Sequence, residues 1–335
     1  MATIKDVAKL AESSITTVSR VINHTGYVKQ ETREKILYAI KTLHYIPLER
    51  SDGPKDKQTI GFVVPNIENP FFGKMAKHIS SIANAFNYNI LLVNIGEENN
   101  TTDDYLFDLI SHRVDGLIYA SSHKNLEVIR IAQGKNLPMI FLDREIKHAR
   151  INSVTVNNNY GAFIATEHLI KLGHRQIAYI GGAPGMEIST RRKEGYLRAL
   201  GENGLPADEQ LVCYGDYTMQ SGFEWMAELY KKRPDITGVI AANDLMAIGA
   251  IYYLNKNGIR VAEDISVIGF DNIELAVNIT PALTTVEYPM EQMSERVIEL
   301  MLRQIRKDDD QVEAVTLFPK LVVRESCSMV KGEKN

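Results

Sequence analysis

Residues 3–23 read TIKDVAKLAESSITTVSRVIN, and two helix starts lie within them. Thr3 followed by Asp6 resembles a capping box ahead of Val7, Ala8, Leu10 and Ala11 at helical spacing. Ser14 with Thr17 supplies a second cap, and Val18, Val21 and Ile22 form the buried stripe of the helix it opens. Two helices joined by so few residues must cross steeply, which is the helix-turn-helix geometry. A third helix over Gln30 to Leu43 lays Ile36, Ile40 and Leu43 across both and closes a small all-α, three-helix core.

The stripe leaves one face of the second helix outward, and its side chains suit base edges. The N-terminal part of such a helix enters the major groove, where a short apolar or hydroxyl group meets a thymine methyl and Arg bonds guanine O6 and N7. Ile15, Thr16 and Arg20 have those chemistries at those positions. Thr3, Ser14, Thr17, Ser19 and Asn23, then Tyr27, Lys29, Thr32 and Arg33, offer hydroxyl, amide and cationic donors suited to phosphate oxygens. Charge agrees in direction: the net charge of −4 conceals +3 over residues 1–50 and −7 over the rest, so the front end is the part fit to meet a duplex.

From residue 59 the pattern changes. TIGFVVP, NILLVNIG, GLIYAS and PMIFLD are short β-branched runs separated by amphipathic segments, and SVTVNN, QIAYIGG, LVCYG, GVIAAND and DISVIGFD continue the alternation. Near-continuous apolar strands alternating with helices imply parallel sheets covered on both faces, here read as two α/β lobes with the second starting at SVTVNN. Ligands of such sheets bind at the carboxyl ends of the strands. Phe71 and Phe72 follow the first strand, Asp143 ends PMIFLD, Arg192 lies in the loop-to-helix segment after the Gly181-Gly182 strand end, Asn243-Asp244 ends GVIAAND and Asp271 ends DISVIGFD. Carboxylates, an amide and a guanidinium can grip adjacent hydroxyls while an aromatic ring covers an apolar face, so the set fits a carbohydrate cleft. Asp244, directly before Leu245-Met246-Ala247, reads as the cap of the next helix.

The runs TIKDVAKLA, TTVSRVIN, TREKI and LHYIP resemble the LacI/GalR helix-turn-helix, and AANDLMAIGA, IGFDN and TPALTTV resemble the sensor signatures of the same family. The resemblance implies a three-helix DNA-binding domain over 1–47, a linker over 48–58 and a two-lobed, periplasmic-binding-protein-like α/β domain over 59–335 that binds effector and dimerises. It also implies a repressor that binds a pseudo-palindromic double-stranded operator as a homodimer under control of a sugar or sugar derivative. By motif, Arg192, Asn243 and Asp271 correspond to effector contacts, with Asp143, Tyr217, Phe71 and Phe72 beside them. Two segments depart from the pattern. Glu12-Ser13 stands where the family has a small residue and Val, and LERSDGPKDK at 48–57 carries Gly53 and Pro54 where the family has a hinge helix, which predicts a flexible linker.

Other classes fit less well. An exported sugar-binding protein needs an apolar leader, whereas Lys5, Asp6, Lys9 and Glu12 interrupt the N-terminus, so a cytoplasmic protein without membrane contact is expected. Cys213 and Cys327 are far apart and suggest neither a disulfide framework nor a metal site. Gly181-Gly182-Ala183-Pro184-Gly185 lacks the spacing of a phosphate loop, and no nucleophile motif stands out, so no enzyme activity and no cofactor are expected. ESCSMVKGEKN at the end has no apolar heptad, which favours a dimer over a coiled-coil tetramer.

Overall fold

The computed structural model describes residues 4–22, 26–43, 58–95, 114–120, 126–143, 151–308 and 311–330. Thr3, Asn23 and the linker up to residue 57 lie outside them. The chain divides into two compact units, Met1–Lys57 and Gln58–Asn335.

In the first unit, α1 (Ile4–Leu10), α2 (Ile15–Ile22) and α3 (Gln30–Thr42) are the three expected helices. Val7, Ala8, Ala11, Val18, Val21, Ile36 and Ala39 are buried together, with Ile40 and Leu43 packed against them. Ser14 caps α2 as its sequence implies: its hydroxyl accepts from the Thr17 amide at 3.1 Å. The turn closes through the Ser13 amide donating to the Ala8 carbonyl at 2.9 Å, which places Glu12 at φ 47°, in the left-handed region.

The second unit holds two sheets. The first comprises β1 (Gln58–Val64), β2 (Tyr88–Asn94), β3 (Gly116–Tyr119), β4 (Met139–Leu142), β5 (Asn152–Val156) and β11 (Ala314–Leu317), in the order β11-β5-β4-β3-β1-β2. The second comprises β6 (Ile177–Gly181), β7 (Val212–Tyr214), β8 (Gly238–Ala241), β9 (Ser266–Asp271), β10 (Thr284–Glu287) and β12 (Lys320–Val322), in the order β12-β10-β9-β8-β6-β7. Among the described strands every pairing is parallel except β10 with β12. The helices are α4 (Pro70–Ala85), α5 (Leu126–Gly134), α6 (Asn158–Lys171), α7 (Glu187–Glu202), α8 (Met219–Lys232), α9 (Asp244–Lys256), the short α10 (Leu275–Asn278) and α11 (Met290–Arg306).

One expectation is corrected here. SVTVNN does not open the second lobe: β5 pairs with β4 and β11 and therefore belongs to the first sheet. Lobe boundaries do not follow the alternation, because the chain crosses between sheets three times, after β5, after β10 and after β11. Between the last two crossings α11 lies on the first sheet, where Met301 packs so tightly on Gly116 of β3 that a Cβ there would meet its sulfur at 2.4 Å. All three crossings run past the carboxyl ends of the central strands, and those ends form the walls of a cleft.

Candidate functional site

The outward face of α2 is built by its own cap. With Ser14 fixing the helix start and Val18 and Val21 turned inward, Ile15 is 45% exposed and Thr16 and Arg20 are exposed beside it. Tyr27 and Lys29 are also exposed, and Thr32 and Arg33 are half-buried. Arg20, Lys29 and Arg33 form no ion pair among the described residues, whereas Lys35 on the same unit is bound to Glu31 at 2.9 Å. An exposed cation without a carboxylate partner is available to a phosphate or a base edge.

In the second unit a cavity of about 730 Å³ opens between the lobes. Phe71, Phe72, Asp143, Arg192, Tyr217 and Asp271 all line it. Asn69 accepts from the Phe71 amide at 3.0 Å and so starts α4, which holds the two rings edge to face, 5.2 Å apart. Tyr217 reaches the wall because residue 182 is Gly: a Cβ there would lie 2.0 Å from the phenol ring. Its hydroxyl pairs with the Ser189 hydroxyl at 2.7 Å.

Arg192 is the polar centre of the cleft and only 3% exposed. Its Nε donates to Asn158 Oδ1 at 2.8 Å, Nη1 to the Ala242 carbonyl, and Nη2 to the Tyr288 hydroxyl at 2.7 Å. Phe270 covers one face of the guanidinium at 3.7 Å. Tyr288 in turn donates to Asp143 Oδ2 at 2.6 Å, and Asp143 Oδ1 accepts from the Val156 amide and the Asn158 side chain. A carboxylate of the first lobe is thus joined to a guanidinium of the second through two residues of the crossings, Asn158 and Tyr288. Sequence reasoning missed both, since neither ends a strand; the only sign was their place next to β5 and β10.

Electrostatics follow from burial. Desolvation raises the Asp143 carboxyl above its ordinary value, with Tyr288 and Arg192 pulling the other way. It raises Asp271 far more: Arg192 stands 3.8 Å away, and no hydrogen bond to a described residue supports the carboxylate. Burial pulls Arg192 down, but the facing Tyr288, Asp271, Tyr217 and Asp143 hold it above the usual guanidinium value.

Asn243 is placed differently from the other expected contacts. It is absent from the cavity wall: Oδ1 caps α9 through the Met246 amide at 2.9 Å and Nδ2 donates to the Tyr217 carbonyl at 3.0 Å. Asn243, with extended backbone (φ −147°, ψ 172°), is therefore the cap that was expected at Asp244. Asp244 is the first helical residue, fully buried, and accepts from the Ile273 amide at 2.8 Å and from the Thr285 hydroxyl. Burial pushes its carboxyl up to about 7.

Among the described residues no cluster of side chains could hold a metal ion, and no helix is long and apolar enough to cross a membrane. Two family profiles match the chain: bacterial regulatory proteins of the lacI family over residues 3–48, and periplasmic binding proteins and sugar binding domain of the LacI family over residues 57–325. The HTH-type transcriptional repressor PurR of Erwinia tasmaniensis is 35% identical over 330 residues, covering 97% of each chain. The transcriptional regulator CelR in complex with cellobiose superimposes with a TM-score of 0.75 at 32% identity, covering 97% of this chain and 100% of that one. The lac repressor dimer bound to operator and an anti-inducer gives a TM-score of 0.73 at 27% identity, covering 98% and 99%.

Proposed function

The chain belongs to the LacI family of bacterial regulatory proteins, and from that premise we propose that it is a cytoplasmic, non-enzymatic repressor binding a pseudo-palindromic operator as a homodimer under control of a sugar-like effector. The observation that carries this reading is the pairing, in one chain, of a capped helix with exposed Ile15, Thr16 and an Arg20 that has no ion pair among the described residues, and a two-lobed unit with a ligand-sized cleft. Residues 1–47 act as the DNA-binding head, 48–58 as the joining segment and 59–335 as the sensor. Ile15, Thr16 and Arg20 contact bases. Thr3, Ser14, Thr17, Ser19, Asn23, Tyr27, Lys29, Thr32 and Arg33 contact phosphates.

In the sensor, Phe71, Phe72, Asp143, Arg192, Tyr217 and Asp271 meet the effector directly, and Asn243 acts through Tyr217, whose carbonyl it holds. The effector bridges lobes whose walls already meet through Asn158 and Tyr288, so occupancy biases their relative closure. Operator affinity then changes by the ratio of effector affinities in the two closure states, and operator binding changes effector affinity by the same ratio. Footprinting on the chain's own upstream region tests the regulator reading and should show a two-fold symmetric protected site. Arg20→Ala should cost about 1–3 kcal/mol at one base position. Loss spread evenly over all sequences would assign Arg20 to phosphate.

A further inference from the structure

The charge of the cleft narrows the class of ligand. Arg192 is the one cationic side chain on the described wall, against the carboxylates of Glu68, Asp143, Asp216 and Asp271. Lys74 is not on the wall, and its Nζ donates to the Asn272 carbonyl at 3.0 Å.

An acid group is gripped by a guanidinium through two parallel N–H bonds from one free edge. Asn158 and Tyr288 occupy the Nε–Nη2 side of Arg192 and one N–H of Nη1 goes to Ala242, while Asp271 Oδ1 stands 3.8 Å from Nη2, so an acid group approaching the remaining N–H bonds meets a carboxyl already there. Four helices that start at the cleft, α4, α6, α8 and α9, each have one first-turn amide taken by a side chain, from Asn69, Asn157, Thr218 and Asn243. Two more, α7 and α11, lack a side-chain cap, but each carries a carboxylate in its first turn, Glu187 and Glu291. The wall also carries the acceptor oxygens of Glu68, Asp216 and Asp271 together with the edge-to-face pair of Phe71 and Phe72, a mixture that suits the hydroxyls and C–H bonds of one ring.

We infer that the cleft selects an uncharged polyhydroxylated ligand and rejects the carboxylated or phosphorylated form of the same sugar. This deepens the effector-binding reading and rests on it.

The test uses the purified full chain in a thermal-shift assay with matched probes at equal concentration: ribose and ribose 5-phosphate, glucose with glucose 6-phosphate and glucuronate, and cellobiose. At least one neutral probe should raise the Tm, and its charged counterpart should bind at least tenfold more weakly by calorimetry. In the double variant Glu68→Gln/Asp216→Asn that preference should fall severalfold. A charged probe that binds as well as its neutral counterpart, a panel in which no neutral probe binds, or a preference unmoved in the double variant each overturns the inference. Footprinting, without and with each probe, is read separately: a protected operator with a failed panel defeats this inference and leaves the regulator standing, whereas no operator under any of these conditions defeats the regulator itself.

Discussion

Tyr288→Phe removes one oxygen and no ring. That oxygen accepts from Arg192 Nη2 at 2.7 Å and donates to Asp143 Oδ2 at 2.6 Å, and the ring is anchored independently, edge-on to Phe71 at 4.9 Å and to Phe270 at 5.6 Å. Packing is kept, so the loss is confined to the hydroxyl's buried hydrogen bonds, two with charged partners and a longer one to Asn158 Oδ1 at 3.1 Å. Each of the two with charged partners contributes about 1.5–3 kcal/mol. Asp143 retains the Val156 amide and Asn158, and Arg192 retains Asn158 and Ala242, which places the expected cost near the low end, about 3 kcal/mol in all. For a unit of this size that is roughly a 5 °C fall in Tm. Urea unfolding followed by Trp225, the chain's single tryptophan, reads the second unit alone. The pH dependence has a definite sign. A carboxyl raised on folding costs stability once pH passes its unfolded value, and the cost is complete above its folded value. Losing the Tyr288 donor raises Asp143 further, so the gap between variant and wild type should widen as pH rises and narrow toward acid. A loss below about 0.5 kcal/mol, the range of a bland surface substitution, or a gap that widens toward acid would refute the account of Tyr288 as the tie between lobes.

Three further outcomes follow from the same geometry. Asp271→Asn removes a carboxyl that burial raises well above its ordinary value, so the wild-type decline in urea midpoint as pH rises from the usual carboxylate range should flatten, while affinity for any sugar that binds falls at least tenfold. Gly182→Ala puts a Cβ 2.0 Å from the Tyr217 ring and should abolish the ligand-induced thermal shift while leaving operator affinity of the ligand-free chain unchanged. Glu12→Gly relieves a left-handed residue at φ 47° and should stabilise the first unit by about 1 kcal/mol, read as slower hydrogen exchange of α1 and α2 amides.

The helices of the first unit were legible because their information is local, although Leu10, read with the apolar positions of α1, is exposed. Ser14 caps where a hydroxyl precedes an apolar stripe, and the Val18, Val21 and Ile36 positions follow helical spacing. In the second unit the strand ends were legible, and with them Asp143 and Asp271, since apolar runs of that length announce where they stop; Arg192, inside α7, was marked only by its motif. Sheet membership was not: β5 has the same composition whichever lobe it joins, and only pairing with β4 and β11 decides. Asn243 and Asp244 were exchanged for a related reason. Either side chain can cap a helix, and the choice rests on which backbone is extended. Asn158 and Tyr288 escaped because residues at crossings obey no periodicity, although they carry the central hydrogen bonds of the cleft.

The three crossings between sheets also set an order of events during synthesis. The contacts within α1, α2 and α3 are complete once residue 43 has left the ribosome. The first sheet must wait much longer, because its edge strand β11 and the covering helix α11 are among the last segments translated. Neither lobe can close on a contiguous piece of chain, so long-range pairing dominates and folding of the sensor is slow relative to the head. A ribosome halfway along the message therefore carries a head already able to meet DNA and a sensor not yet able to answer any ligand.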